Sequence, residues 1–147
     1  MFDSVGIFAR EAFLLFLDLE IKRARRYQNF FSVMRFELCS EGKKPKSKGA
    51  KSLKSLLKLI REEMRETDVI GQTRDNEVMI LLPYCDCAGA NCVNMRLGDI
   101  IKDFHFGNRE FTINSGLVCF PVEANDMAEI MNKLSQGPQT CPTAGLN

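Results

Sequence analysis

Arg65-Glu66-Thr67-Asp68-Val69-Ile70-Gly71-Gln72-Thr73-Arg74-Asp75-Asn76-Glu77-Val78 is the stretch whose reading decides the fold. Just before it, Leu53, Leu56, Leu57, Ile60 and Met64 recur at helical spacing, which predicts a helix ending near Arg65. Asp68 to Gln72 and Glu77 to Leu82 then read as two strands, joined by a tight turn over Arg74 and Asp75. The stretch is therefore a helix end, a corner and a hairpin, with Arg65 and Asp68 both on the corner.

Working outward, Phe13, Leu17, Ile21 and Ala24 share one face, with Lys22, Arg23, Arg25 and Arg26 mainly on the other. That pattern predicts an amphipathic helix of about five turns. Phe31 to Leu38 predicts a strand, with Ser32, Met34, Phe36 and Leu38 facing one way and Val33, Arg35 and Glu37 the other. Ser40 to Lys48, rich in Lys, Ser and Gly, reads as a short loop. Val93, Leu97, Ile100, Ile101 and Phe104 mark a third helix, Phe111 to Cys119 a last strand stopped by Pro121, and Met127 to Leu134 a last helix. Residues 1–136 form one expected domain, and the Gly, Pro and Thr content of 137–147 predicts a flexible tail. Helices on the faces of an antiparallel-containing sheet satisfy this order, giving an α+β fold.

At 147 residues, the chain is long enough for a real core. Its 20 basic and 19 acidic residues create no global field for nucleic acid or an anionic membrane. The longest apolar run, Ala12 to Leu17, falls far short of the roughly 20 residues a membrane span needs. Asp18 and Glu20 interrupt any signal-peptide pattern, so a cytoplasmic location is expected. Lys43, Lys44, Lys46, Lys48 and Lys51 lack interleaved aromatics and read as a solvated stretch rather than a nucleic-acid site. His105 has no acid or nucleophile near it in sequence and reads as structural. Cys39 and Cys119 lie in apolar runs and read as buried thiols. Cys85, Cys87 and Cys92 have a spacing that could suggest a metal, but no second ligand pair accompanies them; thiols at a helix start are the simpler reading.

The central stretch resembles the core of a GGDEF domain, the bacterial diguanylate cyclase family, in which R-x-x-D is followed after five residues by G-G-[DE]-E-F. Arg65 and Asp68 stand at the R-x-x-D positions, and Arg74-Asp75-Asn76-Glu77-Val78 stands at the signature. Gly6-Ile7-Phe8-Ala9-Arg10-Glu11-Ala12-Phe13 is similar to the opening motif G-L-x-N-R-R-x-F, and Arg23-Ala24-Arg25-Arg26-Tyr27 to the basic end of the first helix. Phe111-Thr112-Ile113-Asn114-Ser115-Gly116 stands where the family writes V-T-V-S-x-G. The resemblance runs from Gly6 to about Leu134 and implies a ferredoxin-like, nucleotidyl-cyclase-type core.

The same resemblance implies that the catalytic half is damaged. Family members hold a divalent metal through an aspartate at the end of the first long strand, where Glu37 stands, and through a carboxylate in the signature, where Asn76 stands. A neutral amide is a poor ligand for a hard cation such as Mg²⁺, and phosphoryl transfer depends on charge neutralisation. Arg74 and Asp75 replace the two glycines that let the turn approach phosphates. The family's base-recognising Asn has no counterpart between Phe30 and Asp75, and Gly49 is followed by Ala50 rather than Asp. Glu77 keeps its place. No catalytic residues, no resident cofactor and no bound metal are therefore expected.

In the family R-x-x-D binds cyclic di-GMP as an inhibitor, helped by an Arg on the next helix, and Arg96 falls at that supporting position. Arg suits guanine edges and phosphates, and a carboxylate such as Asp68 can accept from guanine N–H groups. The plain alternative makes Arg65 a helix-end cation, Asp68 a strand opener and Arg96 a solvated side chain. Three functions follow. The chain is an inactive receptor that binds cyclic di-GMP through Arg65, Asp68 and Arg96 and signals to a protein partner. Or it is a nucleotide-independent interaction module, favoured if Arg65 is locked in an internal salt bridge. Or it is a residual GTP-binding enzyme using Glu37 and Glu77. The receptor is the expectation, with no nucleic-acid or membrane partner, the signalling partner unnamed and homodimerisation left open.

Overall fold

The computed structural model describes residues 6–40, 46–103 and 111–136. The elements run β1 (Ile7–Ala9), α1 (Arg10–Tyr27), β2 (Phe31–Ser40), α2 (Lys46–Glu63), β3 (Val69–Arg74), β4 (Glu77–Pro83), α3 (Cys87–Asp103), β5 (Phe111–Phe120) and α4 (Met127–Gln136). The five strands form one sheet in the order β1-β3-β4-β2-β5. β1 pairs with β3 in parallel, and every other pairing is antiparallel. The fold is thus the α+β class read from the sequence, with a mixed sheet.

Both faces of the sheet are covered, because strand side chains alternate between two helical layers. Met34, Phe36 and Leu38 of β2 and Val78, Ile80 and Leu82 of β4 meet Leu53, Leu56, Leu57 and Ile60 of α2 and Leu97 and Ile101 of α3. Val33, Met79 and Leu81 point the other way, against Phe13, Leu17, Ile21 and Ala24 of α1 and Ile130 and Leu134 of α4. The alternation expected in β2 and the apolar stripe expected in α1 are both present. α1 ends at Gln28, which takes a left-handed conformation (φ 55°) and returns its N–H to the Ala24 carbonyl. On β5, a Cβ at Gly116 would stand 2.8 Å from the Leu134 carbonyl oxygen, so glycine lets α4 lie close on the strand.

Three boundaries differ from the sequence reading. Ser40 ends a strand and Lys46–Lys48 begin α2, so the expected loop over Ser40 to Lys48 shrinks from both ends. Its middle, 41–45, lies outside the described residues, as do Phe104, His105 and the expected tail over 137–147. The hairpin turn falls on Asp75 and Asn76 rather than Arg74 and Asp75, because Arg74 pairs with Glu77 and a bulge between Gln72 and Arg74 absorbs Thr73. The three-residue strand β1 was not anticipated. Cys119 is not a free thiol but is joined to Cys87, with Cα atoms 5.6 Å apart, tying the start of α3 to β5. No helix among the described residues is long and apolar enough to cross a membrane.

Candidate functional site

The corner between α2 and β3 builds the first site. Arg65 follows the last turn of α2 and Asp68 precedes β3, and the Asp68 N–H donates to the Arg65 carbonyl at 3.1 Å to close the corner. Asp68 is buried, and its carboxylate accepts from the Arg65 backbone N–H at 2.9 Å and from the Arg65 guanidinium at 3.1 Å. The same guanidinium nitrogen, Nη2, donates to the Pro83 carbonyl at 3.3 Å, while the Arg65 side chain stays 59% exposed. Arg61 braces the corner from behind, donating to the carbonyls of Asp68 at 3.3 Å and Arg65 at 2.5 Å.

Arg96 reaches in from α3, donating through Nη2 to the Glu63 carbonyl at 3.3 Å and lying 3.8 Å from the Glu63 carboxylate. Arg65, Asp68 and Arg96, separated by up to 31 positions in the chain, line one cavity of about 510 Å³ between α2 and α3. The structure thus brings these three side chains together around one cavity. Within the corner Asp68 lies under Arg65 and orients its guanidinium.

Two further lining residues escaped the sequence reading. Phe30 and Tyr84 are both exposed, edge to face with ring centroids 6.2 Å apart, in the wall of the same cavity. The Tyr84 N–H donates to the Phe30 carbonyl at 3.1 Å, and the Tyr84 hydroxyl accepts from Asn29 at 3.0 Å, so the pair is held rigidly. Tyr84 has φ 55°, unusual for a bulky side chain. The available signal was that both aromatics flank strand ends, where an apolar ring has no core to join. Cys85 also lines this cavity; burial pushes its thiol up, against the opposing pull of Arg65.

The hairpin builds the second site. Register sets Glu37 of β2 directly opposite Glu77 of β4. Arg35, two residues before Glu37 on the same face, donates through Nε to Glu77 at 2.5 Å and through Nη2 to Glu37 at 2.8 Å. Thr73 donates its hydroxyl to the other Glu77 oxygen at 2.6 Å, and Arg74 comes within 4.0 Å of it. Arg35 and Glu77 are buried; burial lowers the Arg35 pKa, but the bonds to Glu77 and Glu37 outweigh it and raise it overall. Asn76 turns its amide away, donating to the Leu38 carbonyl at 2.9 Å. Neither Asp75 nor Asn76 has a positive φ, so the turn forms without the freedom glycine would supply.

The donor set does not suit a divalent ion. A dication about 4 Å from the Arg35 guanidinium meets roughly 8 kcal/mol of repulsion at an effective dielectric of about 20. Both Glu77 oxygens already accept hydrogen bonds, and Asn76 offers only a neutral amide, engaged with the Leu38 carbonyl. Elsewhere, Cys87, Cys119 and Glu123 bring donor atoms within 4.8 Å, but the two sulfurs are joined to each other. The cysteines spaced for a metal do not converge: Cys85 is buried, Cys87 is paired with Cys119, and Cys92 is exposed.

A mixed five-stranded sheet clad by four helices thus carries an Arg-x-x-Asp corner and an adjoining β3–β4 hairpin. The chain belongs to the GGDEF family, matching "Diguanylate cyclase, GGDEF domain" over residues 2–139. No curated protein matches it. Among solved structures it is similar to a DGC protein from Thermotoga maritima, with 18% identity, TM-score 0.76, and coverage of 91% of this chain and 98% of that one. It is also similar to the FimX GGDEF domain from Pseudomonas aeruginosa, with 19% identity, TM-score 0.75, and 92% and 89% coverage. A third is the GGDEF domain of DgcB from Caulobacter crescentus in complex with c-di-GMP, with 11% identity, TM-score 0.67, and 92% and 85% coverage. At these identities the likeness carries the fold.

Proposed function

We propose that this chain is a catalytically inactive GGDEF domain that binds cyclic di-GMP in the α2–α3 cavity and relays its occupancy to a protein partner in the cytoplasm. The observation that carries the reading is the convergence of Arg65, Asp68 and Arg96 on one cavity of about 510 Å³. A cyclic dinucleotide offers two phosphates and two planar bases. Two exposed guanidiniums answer the phosphates and the guanine edges, and the Phe30–Tyr84 pair offers a ring face for stacking. Arg65 has five N–H donors, and its internal bonds engage Nε and Nη2. Inactivity follows from the Arg35-bridged carboxylates and the redirected Asn76.

Calorimetric titration of cyclic di-GMP into wild type and Arg65→Ala tests the reading, with GTP and Mg²⁺ incubation beside it. Micromolar binding that weakens at least tenfold in Arg65→Ala, with no cyclic or linear dinucleotide made from GTP, is the expected result. Any dinucleotide product refutes inactivity. Absence of binding refutes the receptor and leaves the nucleotide-independent interaction module. One observation favours that second reading: Arg65 is already paired with Asp68, and Arg96 with Glu63.

A further inference from the structure

We propose that Arg35 is the resident cation of the Glu37–Glu77 pair, standing where two facing carboxylates would otherwise gather a divalent ion, and that removing its charge creates a divalent-cation site. The inference holds whether or not the α2–α3 cavity binds a nucleotide.

The register makes a cation necessary. Glu37 and Glu77 are direct partners on neighbouring antiparallel strands, and their side chains share the α1–α4 face of the sheet. Like charges directly opposite each other repel, and here one of them is buried, with its side chain 4% exposed. Strand alternation places Arg35 on the same face, one pleat back. Its planar fork then spans both carboxylates, Nε to Glu77 and Nη2 to Glu37. Arg74 stands at the exposed rim, 4.0 Å from Glu77. Two carboxylates facing two guanidiniums are neutral without any ion.

The bridge also has a mechanical consequence. Glu77 is bonded to Arg35 on β2 and to Thr73 on β3, so one buried carboxylate ties three neighbouring strands together beside the hairpin turn. A metal ion could come and go; a side chain cannot. Arg35 is therefore a cation fixed in the sheet by its own backbone.

The test is Mn²⁺ alone, titrated into the purified chain and followed by the electron paramagnetic resonance signal of free Mn²⁺. Wild type is expected to show no Glu37-dependent binding. Arg35→Met, of similar length and no charge, is expected to bind one Mn²⁺ at least tenfold more tightly than wild type, and the double variant Arg35→Met, Glu37→Gln to lose that gain. Arg35→Gln serves in its place if Arg35→Met does not fold, with a Mn²⁺-dependent rise in Tm as second readout. Wild-type Mn²⁺ binding abolished by Glu37→Gln overturns the proposal. So does a folded Arg35→Met or Arg35→Gln protein that binds Mn²⁺ no better than wild type.

Discussion

Gly71→Ala tests the packing that positions the Arg65–Asp68 corner. Gly71 lies in β3, three residues beyond Asp68, and α1 crosses directly over it. A Cβ placed there would stand 2.7 Å from the Phe13 Cβ and 2.8 Å from its Cγ and Cδ1. Carbon atoms at rest sit about 3.5–4.0 Å apart, so the helix must lift by roughly 1 Å. Phe13 is fully buried, so its ring has no open space to turn into. Overpacking of this kind costs about 1–3 kcal/mol. In a domain of this size that is about 2–12 °C in Tm, at roughly 2–4 °C per kcal/mol. Urea unfolding of wild type, Gly71→Ala, Phe13→Ala and the double variant, combined as a double-mutant cycle, gives the assay. The nearest clashing atom is the Phe13 Cβ, which alanine retains. Phe13→Ala, which removes the Cγ and Cδ1 clashes but not the Cβ one, should therefore relieve Gly71→Ala only in part, and the double variant should be less stable than either single one. A neutral Gly71→Ala would refute the close approach of α1 to β3.

Thr73→Val keeps the shape but removes the hydroxyl that donates to Glu77. A buried carboxylate short of one donor should cost about 1.5–3 kcal/mol, read by the same urea titration; no loss would mean the bond contributes nothing. Burial raises the Cys85 thiol above its ordinary value of 9.0, with Arg65 opposing. Its contribution is therefore fully present below the unfolded-state pKa and is lost as pH rises through the folded one. Between about pH 7 and pH 10, the stability of wild type should fall more steeply than that of Cys85→Ala. Parallel slopes would contradict this.

Sequence alone carried the helices and long strands, because burial along an element repeats with the period of that element. Phe13, Leu17, Ile21 and Ala24 mark the inner face of α1, and Met34, Phe36 and Leu38 one side of β2, without knowledge of what covers them. The Arg65-x-x-Asp68 corner was legible for the same reason, as the join between a helical period and an extended one. Three residues leave no period to read, so β1 was invisible; it exists because Ile7–Ala9 pair with Ile70–Gln72. The start of α2 hid behind Lys46–Lys48, where no apolar repeat has begun.

What only the tertiary structure decided is which distant residues face each other. Alternation put Arg35 and Glu37 on one side of a strand, but only the β2–β4 register set Glu77 against them and made Arg35 a bridge. That the Asp68 carboxylate accepts from both the backbone and the guanidinium of Arg65 was likewise visible only once the corner was folded. Phe30 and Tyr84 meet because β2 begins where β4 ends, and Cys87 and Cys119 because α3 starts beside the end of β5. Periodicity is a local property, written by each element's own geometry. Register and crossing are pairwise and long-range, set by how the whole chain minimises exposed apolar surface and unpaired polar groups.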